Sequence, residues 1–264
     1  MSDIQEKLPA SHSAIIPGKR GKLFGMCYAP GGNGPAPVVV LCHGIPGNER
    51  LIDFAIYLRE QGFCTVFFHY SGNWGSDGSY SMLNCMEDTM TVLDWVKTDP
   101  FSCFDTEKVF LVGHSMGGLM ASMAIAESDL LKGGVIIMPF NTYPCLKDAV
   151  EGKNSEYWMN FYADCAPWLR DFSWDTMVSD AKKNLEAFNL EGYAKKLASK
   201  PVLTIAGSRD DLLPREEHLD VLISAIEKEG KGLHTGLTFN TDHGMNTDRN
   251  EIKKAVSDYL KSLL

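Results

Sequence analysis

Residues 109–118 read VFLVGHSMGG, and how they are read decides the fold. The apolar run at 109–112 stops at Gly113-His114-Ser115-Met116-Gly117, and a helix-compatible run from Gly118 to Glu127 follows at once. This is the pattern of a strand, a tight turn and a helix, with one serine at the apex. A serine in that place sits on a strained turn with its hydroxyl displayed. The N–H of Met116 then points from a helix N-terminus toward anything bound beside the serine. Gly113 and Gly117 fit the same picture, because a Cβ at either would crowd strand against helix.

Outward from this stretch, 38–42 (VVVLC) and 63–68 (FCTVFF) are continuous apolar runs, as expected of strands buried on both faces. Further strands are expected at 108–112, 135–138, 201–206 and 235–240. Helical patterns fall at about 49–61, 82–97, 116–127, 216–229 and 251–264. Near the start, 14–16 and 22–28 flank the turn-rich PGKRG at 17–21, which predicts an antiparallel hairpin at one sheet edge. From 139 to about 200 the pattern breaks into short, aromatic-rich helical pieces without an obvious strand. That stretch is too long for a connecting loop and reads as a small helical cap. The expected class is α/β: a mostly parallel, doubly wound sheet of about eight strands, with an N-terminal antiparallel hairpin and the cap insertion. All of it is expected to form one domain over 1–264.

Composition narrows the partners. A chain of 264 residues that is 44% hydrophobic and 22% charged has the balance of a soluble globular protein with a sizeable core. A net charge of -9, with no basic cluster, argues against nucleic acid and anionic membranes as partners. No apolar run approaches membrane-spanning length, and MSDIQEKLPASHSAIIPGKRGK lacks the apolar core of a signal peptide. Cys27, Cys42, Cys64, Cys85, Cys103, Cys145 and Cys165 are odd in number and show no CxxC spacing. They read as reduced, mostly structural thiols of a cytoplasmic protein, not as a disulfide framework or zinc site.

A serine hydroxyl is a weak nucleophile and needs a base, an orienting carboxylate and an oxyanion hole. Parallel α/β sheets collect functional groups at the carboxyl ends of their strands. Past the strand at 201–206 comes GSRDDLLP, with the carboxylates of Asp210 and Asp211. Past the strand at 235–240 comes Thr241-Asp242-His243-Gly244. The order Ser115, Asp210, His243 is the serine–acid–histidine order of α/β-hydrolases.

On GHSMG at 113–117, HGIPGN at 43–48, GSRDDLLP at 207–214 and DHG at 242–244, the chain resembles a serine hydrolase of the α/β-hydrolase superfamily. The likeness runs from about residue 13 to the C-terminus, the insertion excepted. It implies that Asp210 rather than Asp211 is the triad acid, and that the Ile45 N–H joins that of Met116 in the oxyanion hole. The loop YSGNWGSDG at 70–78 resembles that of small relatives of the prolyl-oligopeptidase and acylaminoacyl-peptidase group, and the short cap resembles cinnamoyl and feruloyl esterases.

The implied activity is cleavage of small, apolar or aromatic carboxylic esters through an acyl-enzyme, with no cofactor and no metal. Amide cleavage of aminoacyl or small-peptide substrates on the same residues is the alternative, and a non-catalytic binding protein of the same fold a third. Trp74, Trp158, Trp168 and Trp174 are the candidate pocket rings, although aromatic residues of the cap also serve as glue to the main domain. His43 is expected to hold the oxyanion loop, and His114 to pack behind the serine. A structural hydrogen bond is expected of His69. His12, His218 and His234 are expected at the surface or an edge.

Overall fold

The computed structural model describes residues 7–48, 51–153 and 155–264. Eight strands form one sheet: β1 (Ala10–Gly18), β2 (Gly21–Ala29), β3 (Ala36–Cys42), β4 (Cys64–Phe68), β5 (Phe104–His114), β6 (Leu131–Ile137), β7 (Val202–Gly207) and β8 (His234–Phe239). Their order is β1-β2-β4-β3-β5-β6-β7-β8. The first two form the expected hairpin, in which Gly18 pairs with Gly21 and Lys19-Arg20 makes the turn. β2 runs antiparallel to β4, and every pairing from β4 to β8 is parallel. Val38, Val39, Val40, Leu41 and Cys42 are all fully buried, as a strand covered on both faces requires.

Helices cover both faces. α1 (Ile52–Glu60) and α10 (Arg249–Lys261) lie on one side, where Phe54, Leu58, Ile252, Val256 and Leu260 pack against Val39, Leu41, Val112 and Ile205. The helical pattern expected from 49 begins at Ile52; residues 49 and 50 lie outside the described residues. On the other side lie α2 (Met82–Val96), begun by Ser81 accepting the Asn84 N–H, and α3 (Met116–Glu127). Every side chain of α3 from Met116 to Ala126 is buried, so this helix carries no polar face. β5 starts four residues before the expected 108, because Phe104 and Asp105 pair with Ala36 and Pro37, ahead of an irregularity over which Glu107 and Lys108 face solvent.

Between β6 and β7 the chain forms the helical insertion: α4 (Tyr143–Val150), α5 (Glu156–Cys165), α6 (Trp174–Lys183), α7 (Ala194–Leu197) and three short 3-10 turns. After β7 the expected helix over 216–229 is broken into α8 (Arg215–His218) and α9 (Asp220–Lys228). At the break, His218 and Leu219 are both buried.

Candidate active site

β5 delivers Ser115 to the carboxyl edge of the sheet, with φ 59 and ψ -124, outside the regions favoured by non-glycine residues. Its backbone is held from three directions. The Ser115 N–H donates to Ile137 O at 3.0 Å, and Ser115 O accepts from Gly118 N at 2.8 Å and Phe140 N at 2.9 Å. Such over-determination is what sustains a strained dihedral. The flanking glycines are steric necessities: a Cβ on Gly113 would come within 2.0 Å of Gly117 O, and one on Gly117 within 2.0 Å of Cys42 O.

Two other strand ends complete the arrangement. His243, past β8, has Nε2 2.9 Å from Ser115 Oγ and Nδ1 2.7 Å from Asp210 Oδ2. Asp210, past β7, is buried and is itself oriented by the Leu213 N–H, which donates to Oδ1 at 2.9 Å. With Nδ1–H donating to the carboxylate, Nε2 is left as the acceptor for the serine hydroxyl. Asp211 is exposed, apart from this chain of contacts. His114 packs 4.8 Å behind His243, ring to ring, and its Nε2–H donates to His243 O at 2.8 Å. Burial holds the His114 imidazole neutral, well below its ordinary range, and the neighbouring His243 adds to this.

The 43–48 loop lies against the serine. A Cβ on Gly44 would sit 2.9 Å from Ser115 Cβ and 3.3 Å from its Oγ, so the Gly44-Ile45 peptide passes beside the hydroxyl. The His43 ring donates from Nδ1 to Gly44 O at 2.7 Å. Met116, fully buried at the first turn of α3, accepts from the Tyr80 hydroxyl at its sulfur, 2.9 Å away.

A sequence model described as the alpha/beta hydrolase fold matches residues 37–211. The chain belongs to the alpha/beta hydrolase fold family. The two E. coli sequences from the traX-finO intergenic region, each of 31.7 kDa, are 35% and 32% identical to this alpha/beta hydrolase chain over 108 and 125 residues. Those matches cover 39% and 40% of the chain and only 37% and 43% of the relatives. In overall shape the chain is similar to an esterase of Pyrococcus furiosus (TM-score 0.69, 20% identity, 96% of this chain and 91% of that one). It is also similar to Est1E of Butyrivibrio proteoclasticus solved with ferulic acid (TM-score 0.72, 20% identity, 95% and 99%). At such identity these two likenesses concern the fold.

The four tryptophans separate into two settings. Trp74 and Trp168 stack on each other with centroids 6.1 Å apart, and both are about half exposed. Trp158 and Trp174 are half-buried in the insertion's aromatic cluster: Trp158 lies 5.1 Å from Phe140, and Trp174 lies 5.5 Å from Tyr162. Trp74 has a second task in this hydrolase fold. Its indole N–H donates to Gly47 O at 2.9 Å, beside the Asn73 amide donating to Pro46 O at 2.9 Å. These two contacts, with the Tyr70 hydroxyl donating to His43 O at 3.4 Å, tie the Gly-rich loop to the 43–48 loop. No local pattern announces Asn73, Tyr70 or Tyr80, since their partners lie ten or more residues away.

The Gly-rich loop is in turn anchored from below. The Ser71 N–H donates to Asp88 Oδ2 at 2.7 Å, and Arg20, from the β1–β2 turn, reaches Asp88 Oδ1 at 2.7 Å and also pairs with Glu87. Burial pushes the Asp88 carboxyl up, while the hydrogen bonds from Ser71 and the charge of Arg20 pull it back.

His218 corrects the expectation of a surface residue. It is buried beside Phe140 and Trp158, and its Nδ1 accepts the Asn141 N–H at 3.2 Å. Burial pushes it down to about 4 against the pull of Asp210. The cause is tertiary: the residues opening the insertion close over the end of α8. His69 is buried as well, its backbone N–H donating to Phe24 O at 2.8 Å. His12 stacks on Phe101, and His234 meets Thr204 Oγ1 at 2.8 Å on the edge strand.

Among the described residues no helix is long and apolar enough to cross a membrane, and no group of three or more His, Cys, Asp or Glu side chains is placed to hold a metal ion.

Proposed function

We propose that the chain is a serine esterase that cleaves small carboxylic esters by two-step acyl transfer. The observation that carries this reading is the contact line Ser115 Oγ–His243 Nε2–Asp210 Oδ2, at 2.9 and 2.7 Å, on a serine with φ 59. Ser115 Oγ attacks the ester carbonyl while His243 Nε2 takes its proton. Asp210 keeps the remaining ring proton on Nδ1 and stabilises the imidazolium. The oxyanion is held by the N–H groups of Met116 and Ile45. His243 then returns the proton to the departing alcohol. Water, activated by the same ring, releases the acid from the acyl-serine.

Two features favour apolar or aromatic acyl groups in particular. The half-exposed Trp74–Trp168 pair offers a flat apolar wall beside the 43–48 loop, and rings of this kind bind planar groups through offset stacking. The fold neighbour Est1E was solved with ferulic acid bound. The insertion acts as the cap of a single-domain enzyme, and no metal or organic cofactor is required for these steps.

The test is Ser115→Ala against a panel of p-nitrophenyl esters that varies acyl length and aromaticity. Turnover is expected to fall by at least ~10⁴-fold with the fold intact, and a fluorophosphonate is expected to label Ser115 in the parent chain. Undiminished turnover in the variant, or folded parent protein that neither reacts nor labels, refutes the proposal. A matched aminoacyl p-nitroanilide, cleaved faster than its ester, assigns the same residues to an amidase.

A further inference from the structure

At the amino edge of the sheet, three cysteine side chains meet. Cys27 on β2 stands opposite Val66 on β4, so Cys27 and Cys64, two residues before Val66, share one face of the sheet. Cys103 lies in the turn leading into β5, next to Phe104, which pairs with Ala36 at the start of β3. The Cys64 sulfur is 3.7 Å from the Cys103 sulfur and 3.3 Å from the Cys103 carbonyl oxygen. Cys27 and Cys64 are fully buried, whereas Cys103 is half-buried. Cys64 and Cys103 line a cavity of about 550 Å³, together with Lys7, His12, Ala36 and Phe101. This cavity opens where β3 and β4 begin, while Ser115 follows the carboxyl end of β5. The seven residues of β3 alone separate the two edges by about 20 Å.

The three thiols are chemically unequal. Cys103 is held well below the ordinary thiol range, first because the Cys27 and Cys64 S–H groups donate to its sulfur. The basic groups of His12 and Lys7 add attraction. Cys27 and Cys64 are pushed up, because each shares its proton with Cys103 and both are buried. A thiol biased toward its ionised form, 3.7 Å from a second thiol and at the wall of a cavity, combines nucleophile, resolving partner and access.

We propose that Cys103 is a hydroperoxide-reactive thiol that closes a reversible disulfide with Cys64. The Cys103 thiolate attacks one oxygen of hydrogen peroxide, the O–O bond breaks, and hydroxide leaves and is protonated to water. Cys103 is thereby oxidised to the sulfenic acid. The Cys64 sulfur then attacks the Cys103 sulfur, the S–O bond breaks, and a second water departs with the proton of Cys64. Two thiols and one peroxide become one disulfide and two waters. Closure asks the sulfurs to move from 3.7 Å to about 2.05 Å, a shift that falls to the side chains, because the Cys103 N–H is held by Asp99 Oδ1 and its carbonyl by the Ala36 N–H.

The experiment uses the full chain and none of the hydrolytic chemistry, so it is independent of the proposed esterase activity. Iodoacetamide is applied at mildly acidic pH and labelled peptides are followed by mass spectrometry. Cys103 is expected to react on the order of 10-fold or more ahead of Cys145, the other half-buried cysteine, which burial pushes up to about 12. Equimolar hydrogen peroxide is expected to link the Cys64 and Cys103 peptides with loss of two hydrogens, reversed by dithiothreitol. In Cys64→Ala, dimedone is expected to trap the Cys103 sulfenic acid in place of the link. Alkylation of Cys103 no faster than Cys145 overturns the proposal. So does peroxide treatment that leaves Cys64 and Cys103 unlinked, or that links Cys103 to Cys27 instead.

Discussion

Gly44→Ala tests the proposed oxyanion loop at its tightest point. The added methyl would stand 2.9 Å from Ser115 Cβ, 3.3 Å from Ser115 Oγ and 3.5 Å from His114 O. Carbon pairs rest at about 3.5–4.0 Å, so the two backbones must part by roughly 0.6 Å or more. Ser115 is the side that stays, since three backbone hydrogen bonds hold it. The Gly44-Ile45 peptide therefore moves, and with it the Ile45 N–H. A misplacement of about 1 Å near the reacting atoms costs about 10²-fold, and outright loss of one oxyanion donor costs about 10²–10³-fold. A shift of this size is thus expected to lower kcat/KM for a short p-nitrophenyl ester by about 10- to 100-fold. That corresponds to ~1.4–2.7 kcal/mol of transition-state stabilisation. Overpacking of about 1–3 kcal/mol also lowers the melting temperature by several degrees, so the rates are measured well below the transition. A folded Gly44→Ala protein with parental kcat/KM refutes the placement of the oxyanion donor in this loop.

Asp210→Asn is expected to lower kcat by ~10³–10⁴-fold at nearly unchanged stability, measured by ester turnover and thermal unfolding. The new amide still accepts from Leu213 but turns its NH₂ toward Nδ1, so the ring proton moves to Nε2 and Ser115 loses its acceptor. Arg20→Met leaves the fully buried Asp88 without its cation. On the order of 3 kcal/mol of stability is expected to go, read as a melting temperature about 6–12 °C lower by calorimetry; a change under a degree or two refutes it. For acid stability the sign follows from His218. It titrates at about 4 in the folded chain and near 6.5 when unfolded, so the unfolded state binds more protons between these values. The contribution of neutral His218 is complete above about pH 6.5 and is lost as pH falls toward 4, on the order of 3 kcal/mol in all. His218→Asn, which keeps an acceptor for the Asn141 N–H, is expected to flatten the melting temperature between pH 6.5 and 4. An unchanged slope in that variant contradicts the assignment.

The residues of the candidate site differ in how far they could be read ahead of the structure, and the difference follows sequence distance. Ser115 sits where an apolar run meets two small residues and a helix, all within ten positions, so the turn is written locally. Asp210 and His243 each follow a recognisable strand, and parallel topology carries strand ends to one edge. His218 gave no such sign. Its pattern is that of one turn of an exposed helix, and its burial comes from a break at Leu219 and from Phe140 and Trp158 packing over it. Trp74 was expected as a pocket ring. That its indole N–H also ties down Gly47 depends on Asn73 and the neighbouring turn bringing two loops together across 27 positions. The cysteines were expected to be reduced, mostly structural thiols. The meeting of Cys64 with Cys103 is a matter of sheet register.

From the sequence alone came the α/β class, the hairpin at one edge, the helical insertion and the serine at the strand–helix turn. Each depends on hydrophobic periodicity and on glycine where a Cβ cannot fit, and these are properties of short stretches of chain. Tertiary structure alone decided which buried carboxylate anchors the Gly-rich loop and which histidine the insertion covers. Those outcomes depend on packing and on pairing between distant segments. Burial and its electrostatic consequences exist only once the elements have closed on one another.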